Sequence, residues 1–265
     1  MYTDNLVAAD AIPADAIIVD CRFALGDSAA GREAYELGHI PGAYYLDLNS
    51  DLSGPVLKEG GRHPLPAATD FAQTLSRCGI TPDSVVVAYD DSRFAYAGRL
   101  WWMMRAAGFR PPALINGGYT AWLAAGGQPS TASPVAVEPL ETSVQGFAGN
   151  LNRAEVITAQ SEGAVLVDAR EPRRYAGLEE PIDPVAGHIP GAMNQPWLEI
   201  TDEAGFVLQR EALSQRLAPL LEQERLIAYC GSGVTACVIL FALALLGRDD
   251  AGLYSGSWSD WCSAL

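Results

Sequence analysis

The segment Leu226-Ile227-Ala228-Tyr229-Cys230-Gly231-Ser232-Gly233-Val234-Thr235-Ala236 carries the residue types of a nucleophilic centre. A short apolar strand ends in a cysteine, a glycine-bearing loop comes next, and an apolar helix runs from about Thr235 to Leu246. A thiol in that position is ringed by backbone N–H groups and faces a helix N-terminus, which favours the thiolate. An accessible thiolate is a nucleophile. Free cysteine is by type a small core hydrophobe, but the loop argues for more. Gly231 and Gly233 permit backbone conformations and close approaches that other residues avoid, and Ser232 and Thr235 set hydroxyls near the thiol.

The remaining cysteines are Cys21, Cys78, Cys237 and Cys262. With Cys230 they make an odd total of five, with no CxxC pair, which argues against a disulfide-stapled secreted domain. His39, His63 and His188 show no ligand spacing with them, so no metal site and no organic cofactor are expected. Reduced thiols fit a cytoplasmic location. Cys237, two residues into the helix, reads as buried, with a resolving thiol for an oxidised Cys230 as its other possible role.

Composition bounds the partners. With 49% hydrophobic and 18% charged residues, the 265-residue chain is that of a globular protein of one large or two medium domains. A net charge of −15 excludes the basic surface that nucleic-acid binding needs. The N-terminal stretch MYTDNLVAADAIPADAIIVD lacks a basic n-region and a long apolar core, so no secretory leader is expected. The longest apolar run, Val234 to Leu246, is too short to span a bilayer and reads as a buried helix, so no membrane contact is expected.

The elements that must position the loop occur twice. Ile18-Val19-Asp20-Cys21-Arg22 echoes Leu166-Val167-Asp168-Ala169-Arg170, and Gly38-His39-Ile40-Pro41-Gly42-Ala43 returns as Gly187-His188-Ile189-Pro190-Gly191-Ala192. Val85-Val86-Val87-Ala88-Tyr89-Asp90 parallels Arg225-Leu226-Ile227-Ala228-Tyr229-Cys230, and Ile115-Asn116-Gly117-Gly118-Tyr119 parallels Tyr254-Ser255-Gly256-Ser257-Trp258. Four blocks in one order, offset by 138 to 149 residues, indicate tandem domains and not a solenoid. Ala16–Asp20 and Val85–Tyr89 read as strands, and Ala67–Cys78 and Ala97–Ala107 as helices. Continuous apolar strands without alternation predict a parallel sheet flanked by helices in each half, an α/β class. Gly126 to Gly149, rich in Gly, Pro, Ser and Thr, reads as a linker, giving domains at 1–128 and 150–265 with the linker proper at 129–149. Trp101, Trp102, Met103 and Met104 read as core or interdomain packing, and Trp258 and Trp261 as packing under the cysteine loop.

The paired GHIPGA blocks, the VD-x-R strand ends and above all CGSGVTA resemble the two-domain rhodanese-like sulfurtransferases, over nearly the whole chain and in the family's order. The resemblance implies two tandem rhodanese-like domains. The first is inactive, since Asp90 stands where Cys230 stands in the second. CGSGVTA is similar to the 3-mercaptopyruvate sulfurtransferase branch. The thiosulfate branch places arginine and lysine where this chain has Gly231 and Ser232.

The same resemblance implies a chemistry and a set of site residues. Cys230 takes sulfur from 3-mercaptopyruvate as a persulfide, releasing pyruvate. Loop N–H groups from Gly231 through Ser232, Gly233 and Val234 to Thr235 hold the anionic sulfur, and thioredoxin, a small thiol or cyanide accepts it. Arg174 matches the family's substrate arginine and is expected to clamp the donor carboxylate. Arg170 is the second candidate, with a structural pairing to Asp168 or Glu171 as the stronger expectation. A further arginine before the GHIPG block is missing: the chain reads Glu179-Glu180-Pro181-Ile182-Asp183-Pro184 there. His63 matches the histidine of a serine–histidine–aspartate relay with Ser232. Its aspartate position matches Asn49, with Asp47 and Asp51 nearby. Arg62 is a candidate contact to an anionic substrate from across the cleft. His39 and His188, present in both halves, are expected to be structural. The chain is expected to be a monomer. Thiosulfate as donor, and a non-catalytic binding module, stand as alternatives. A cysteine phosphatase is disfavoured because Ala236 occupies the position of its phosphate-binding arginine.

Overall fold

The computed structural model describes residues 5–265, so the first four residues of the stretch read for a leader lie outside it. The first half contains β1 (Leu6–Val7), β2 (Ile17–Asp20), α1 (Ala30–Leu37), β3 (Tyr44–Tyr45), α2 (Ala68–Arg77), β4 (Val86–Tyr89), α3 (Ala97–Ala106), β5 (Ala113–Ile115) and α4 (Gly118–Ala124). The second contains β6 (Asn150–Leu151), α5 (Arg153–Ser161), β7 (Val165–Asp168), α6 (Pro172–Tyr175), β8 (Met193–Asn194), a 3-10 turn at Trp197–Ile200, α7 (Arg210–Leu221), β9 (Leu226–Tyr229), α8 (Ala236–Leu245), β10 (Gly252–Tyr254) and α9 (Ser257–Cys262). Each half forms a five-stranded parallel sheet, ordered β1-β5-β4-β2-β3 and β6-β10-β9-β7-β8. The registers also repeat: Asp20 pairs with Tyr89, and Asp168 with Tyr229. β4 and β9 are buried at every residue, as central strands covered on both faces must be.

One clip recurs in both halves and explains the VD-x-R and GHIPGA blocks. The buried Asp20 carboxylate pairs with Arg22 at 2.6 Å, and Arg22 also donates to the Gly38 carbonyl at 2.8 Å. Asp168 pairs with Arg170 at 2.6 Å, and Arg170 donates to the Gly187 carbonyl at 2.6 Å. Tyr89 donates to Asp20 at 2.7 Å. His39 and His188 each bond a carbonyl at 2.7 Å through Nδ1, that of Tyr35 and Tyr175 respectively, and each stacks on that tyrosine ring at 3.9 Å. These groups lock a strand end to the loop beyond it whether Asp90 or Cys230 follows the central strand.

The halves meet where α3 crosses α8. Phe94 and Trp101 pack on Phe241 at 5.6 and 5.4 Å between ring centroids, inside one continuous apolar core. α8 is apolar all round and almost wholly buried, as a helix enclosed by a partner domain must be. The connection from 126 to 149 is strapped along the first half. Ser130 exchanges two backbone hydrogen bonds with His39, Tyr44 donates to the Val135 carbonyl and Ser76 to that of Leu140. Those contacts satisfy backbone groups that a free linker would leave to water.

Candidate active site

Cys230 comes directly after β9 and is 2% exposed. It opens on a cavity of about 260 Å³ lined in part by Arg62, Arg174, Trp197, Gly231, Ser232 and Thr235. The corner between β10 and α9 anchors its loop. Ser257 Oγ accepts the Cys230 N–H at 3.0 Å, while Trp258 and Ser259 donate to the carbonyls of Cys230 and Gly231 at 3.0 and 2.9 Å. Trp258 thus lies under the loop, its indole N–H on the Val185 carbonyl. Gly233 turns the chain at φ +75°, and a Cβ there would stand 2.3 Å from the Ser255 carbonyl oxygen, so a side chain is excluded. Among the described residues, the N–H groups from Gly231 to Ala236 donate to no protein acceptor.

The first half shows what such a loop holds. The Asp90 carboxylate is buried and accepts four N–H groups: Ser92 and Phe94 on Oδ1 at 2.9 and 3.1 Å, Tyr96 and Ala97 on Oδ2 at 3.0 and 2.9 Å. Burial pushes its carboxyl up from the ordinary range, opposed by those four donors. The Cys230 loop occupies the same place between central strand and helix, one residue shorter and with a thiol where the carboxylate stands.

Two arginines flank the loop. A Cβ placed on Gly231 would meet Arg62 Nη2 at 3.1 Å and Arg174 Nη2 at 3.5 Å. Arg174, on α6, pairs with Glu180 at 2.7 Å and Asp183 at 3.4 Å; Arg62 reaches from the first half to close an ion pair with Asp183. Burial raises Asp183 above its ordinary value, outweighing Arg62. It also pushes Glu180 up, but Arg174 and the N–H groups of Asp183 and Ile182 bring that carboxyl below its ordinary value. Cations therefore crowd a loop whose own side chains carry none. In the sequence, Glu180 and Asp183 mark only the place of a missing arginine; charge runs in a loop give no sign of their partners.

Arg170 corrects its candidacy for the substrate. Its guanidinium is consumed by Asp168, Glu180 and the Gly187 carbonyl, it is 1% exposed, and Arg22 repeats its clip in the first half.

His63 lies 2.7 Å from Ser232 Oγ through Nδ1. The loop carrying it docks on the second half: Gly60 N–H donates to Asp260 and Arg62 N–H to Ser259 Oγ, and Gly61, at φ +77°, packs where a Cβ would fall 2.4 Å from the Gly256 carbonyl oxygen. Burial, reinforced by Arg99 and Arg62, lowers His63 to about 4, so it is a neutral imidazole near pH 7. The expected aspartate arm of the relay is not assembled. Asp51 pairs with Arg77 at 2.5 Å, Asp47 caps the N–H groups of Asn49 and Ser50, and among the described residues no carboxylate bonds His63. Those carboxylates are spent on their own turn and on Arg77 at the end of α2.

Arg99 is a site residue that sequence reasoning missed, although a lone arginine in the apolar run Gly98–Met104 was a visible signal. Fully buried on α3, it donates to the carbonyl of Gly233 at 2.9 Å and that of His63 at 3.0 Å. Cys237 is fully buried with its Sγ on the Gly233 carbonyl at 3.4 Å, and burial raises its thiol to about 12. A protonated thiol bonded to its own loop is a packing group and not a resolving nucleophile. Among the described residues, no cluster of three or more His, Cys, Asp or Glu side chains could hold a metal ion, and no helix is long and apolar enough to cross a membrane.

Residues 5–125 and 152–264 match the Rhodanese-like domain family. The chain is 44% identical over 268 residues to "Probable 3-mercaptopyruvate sulfurtransferase" of Pseudomonas aeruginosa, covering 98% of this chain and 94% of that one. It is 42% identical to "Putative thiosulfate sulfurtransferase SseB" of Mycobacterium tuberculosis, covering 93% and 87%. Among solved structures it is similar to 3-mercaptopyruvate sulfurtransferase from Leishmania major (TM-score 0.84, 30% identity, 95% of this chain and 71% of that one). It is also similar to SseA from Escherichia coli (TM-score 0.82, 29% identity, 97% and 100%). The chain belongs to the rhodanese-like family and is a sulfurtransferase built from two tandem rhodanese-like domains.

Proposed function

We propose that this protein moves sulfur from 3-mercaptopyruvate to a thiol acceptor, thioredoxin or a small thiol, or to cyanide, through a persulfide on Cys230. The observation that carries the reading is the loop of N–H groups around Cys230, whose twin grips the Asp90 carboxylate with four hydrogen bonds. A turn that holds a carboxylate anion in one copy is suited to an anionic sulfur in the other.

The Cys230 thiolate attacks the donor sulfur. The S–S bond forms as the C–S bond breaks, and that electron pair leaves on the three-carbon fragment as the enolate of pyruvate. The thiol proton of the donor ends on that carbon, giving pyruvate and the Cys230 persulfide anion. Ser232, hydrogen-bonded to the neutral His63, is placed to pass this proton. The acceptor thiol then takes the outer sulfur and returns Cys230 as thiolate; cyanide takes it as thiocyanate. Arg174 and Arg62, beside Gly231, meet the donor carboxylate. Loop N–H groups of Gly231, Ser232, Gly233, Val234 and Thr235 face the transferred sulfur.

One observation favours thiosulfate as a second reading: the two guanidiniums beside Gly231 would also receive a dianion. Thiosulfate, however, leaves as sulfite and requires no proton on carbon, so the Ser232–His63 pair favours mercaptopyruvate. The test is kcat/KM for the two donors with Cys230→Ser as blank, together with the mass of the donor-treated protein. The reading requires a preference for mercaptopyruvate and a gain of one sulfur on Cys230. Preference for thiosulfate reverses the donor assignment, and no transfer from either refutes it.

A further inference from the structure

We propose that Arg99 is a positioning residue for sulfur transfer: the inactive domain contributes a buried guanidinium that compensates the anionic sulfur of Cys230 from beneath its loop. This deepens the reading that Cys230 carries the transferred sulfur and rests on it.

Arg99 is fully buried, and its guanidinium donates to backbone carbonyls, Gly233 at 2.9 Å, His63 at 3.0 Å and, more distantly, Leu52 at 3.4 Å, with the Cys237 thiol beside it. The other buried arginines, Arg22 and Arg170, each carry an aspartate. Among the described residues, no carboxylate pairs with Arg99. A buried cation without a counter-charge is costly, and dipoles of carbonyls offset only part of that cost. The ionisable groups facing it are two thiols, Cys237 and Cys230. Cys237 is packed with its Sγ on the Gly233 carbonyl, whereas Cys230 opens on the cavity, so of the two thiols it is Cys230 that sulfur transfer makes anionic.

The duplication supplies a comparison inside the molecule. α3 begins at Ala97 and α8 at Ala236, and that offset carries Arg99 onto Val238, which is fully buried in α8. An aliphatic side chain therefore fills the equivalent core position in the other copy. The charge stands only in the copy that lacks the cysteine, on the helix that crosses α8, and it points at the other domain's loop. Asp90 brings its own fixed anion and has no such cation, whereas the cysteine loop gains one across the interface. The charge thus follows the sulfur chemistry and not the packing.

The test reads Cys230 itself, with no sulfur donor present, so failure of the donor assignment leaves it interpretable. Alkylation of Cys230 by iodoacetamide is tracked against pH by peptide mass in the wild type, Arg99→Met and Arg99→Gln, with folding checked by circular dichroism and thermal unfolding. The groups facing Cys230 besides Arg99 are Cys237, the Ser232–His63 pair, Arg62, Arg170, Glu171 and Arg174, all unchanged in these variants. Removing a charge at the range of a loop contact slows alkylation at pH 7 by about tenfold and moves the inflection to higher pH. If Arg99→Met does not fold, Arg99→Gln, which keeps one donor for the Gly233 carbonyl, carries the test. A lower Tm with the inflection unmoved makes Arg99 a structural tie and overturns the proposal, as does a variant unchanged in both.

Discussion

Replacing Gly233 by alanine separates two costs that the cysteine loop imposes. The residue sits at φ +75°, and a Cβ there would stand 2.3 Å from the Ser255 carbonyl oxygen. The left-handed backbone costs a non-glycine residue roughly 1–2 kcal/mol, and relieving an overlap in a close-packed site roughly 1–3 more, so Gly233→Ala costs about 2–5 kcal/mol. Gly247 provides the control: its φ is +91°, and nothing lies within 4 Å of the place a methyl group would take, so Gly247→Ala carries the backbone cost alone. At roughly 2–4 °C per kcal/mol, Gly247→Ala lowers Tm by about 4 °C and Gly233→Ala by about 10 °C. The overlap is relieved by moving the loop away from the Ser255 corner, which spreads the N–H groups around the sulfur. Loss of one such donor costs about 100-fold or more in rate, so kcat/KM of Gly233→Ala falls by that factor while Gly247→Ala keeps wild-type activity. Scanning calorimetry and donor-saturation kinetics measure both. Equal Tm shifts in the two variants would refute the steric argument, and wild-type rates in a folded Gly233→Ala would refute the role given to the loop.

His63 gives the protein a pH dependence of known sign. Its folded value, about 4, lies below the ordinary 6.5, so the unfolded chain binds the proton more readily and stability is lost as pH falls from about 6.5 towards 4. Between pH 7 and pH 5 the loss is about 2 kcal/mol, and the difference between wild type and His63→Gln across that range, read by thermal unfolding, should show it; parallel curves would count against a buried neutral imidazole. Asp90→Asn leaves one oxygen to accept two of the four N–H groups and turns an amide N–H₂ on the other two, costing about 2–4 kcal/mol. Its thermal unfolding is therefore displaced by roughly 5–10 °C, and an unchanged Tm would mean that the turn tolerates a neutral occupant.

The repeated blocks made the architecture legible from residues alone. Continuous apolar runs at Val86–Tyr89 and Leu226–Tyr229 marked the central strands, because a strand buried on both faces must be apolar throughout. The helices ended within a residue or two of the expected positions, since apolar spacing marks the body of a helix and the ends are set by chain packing. The cysteine loop was equally visible, because its glycines, hydroxyls and thiol lie together in the chain. Persistence of His39 and His188 in both halves also marked them for the structural bonds they make.

Everything that depends on a group from elsewhere in the chain was settled by the way the halves pack. His63 meets Ser232 across 169 residues because the 60–66 loop docks on the β10–α9 corner, a contact no local pattern encodes. Asp47 and Asp51 stay with their own turn, where nearby N–H groups and Arg77 claim them, although their position in sequence suggested the relay. Arg62 and Arg174 share Asp183, and Arg99 faces a thiol from the other domain, because charges buried in a fold take the partners that geometry supplies. The duplication, the two parallel sheets and the nucleophile loop could be read in advance, since each is written in contiguous residues. Which side chains surround the sulfur depends on the crossing of α3 over α8, since electrostatics acts through space and not along the chain.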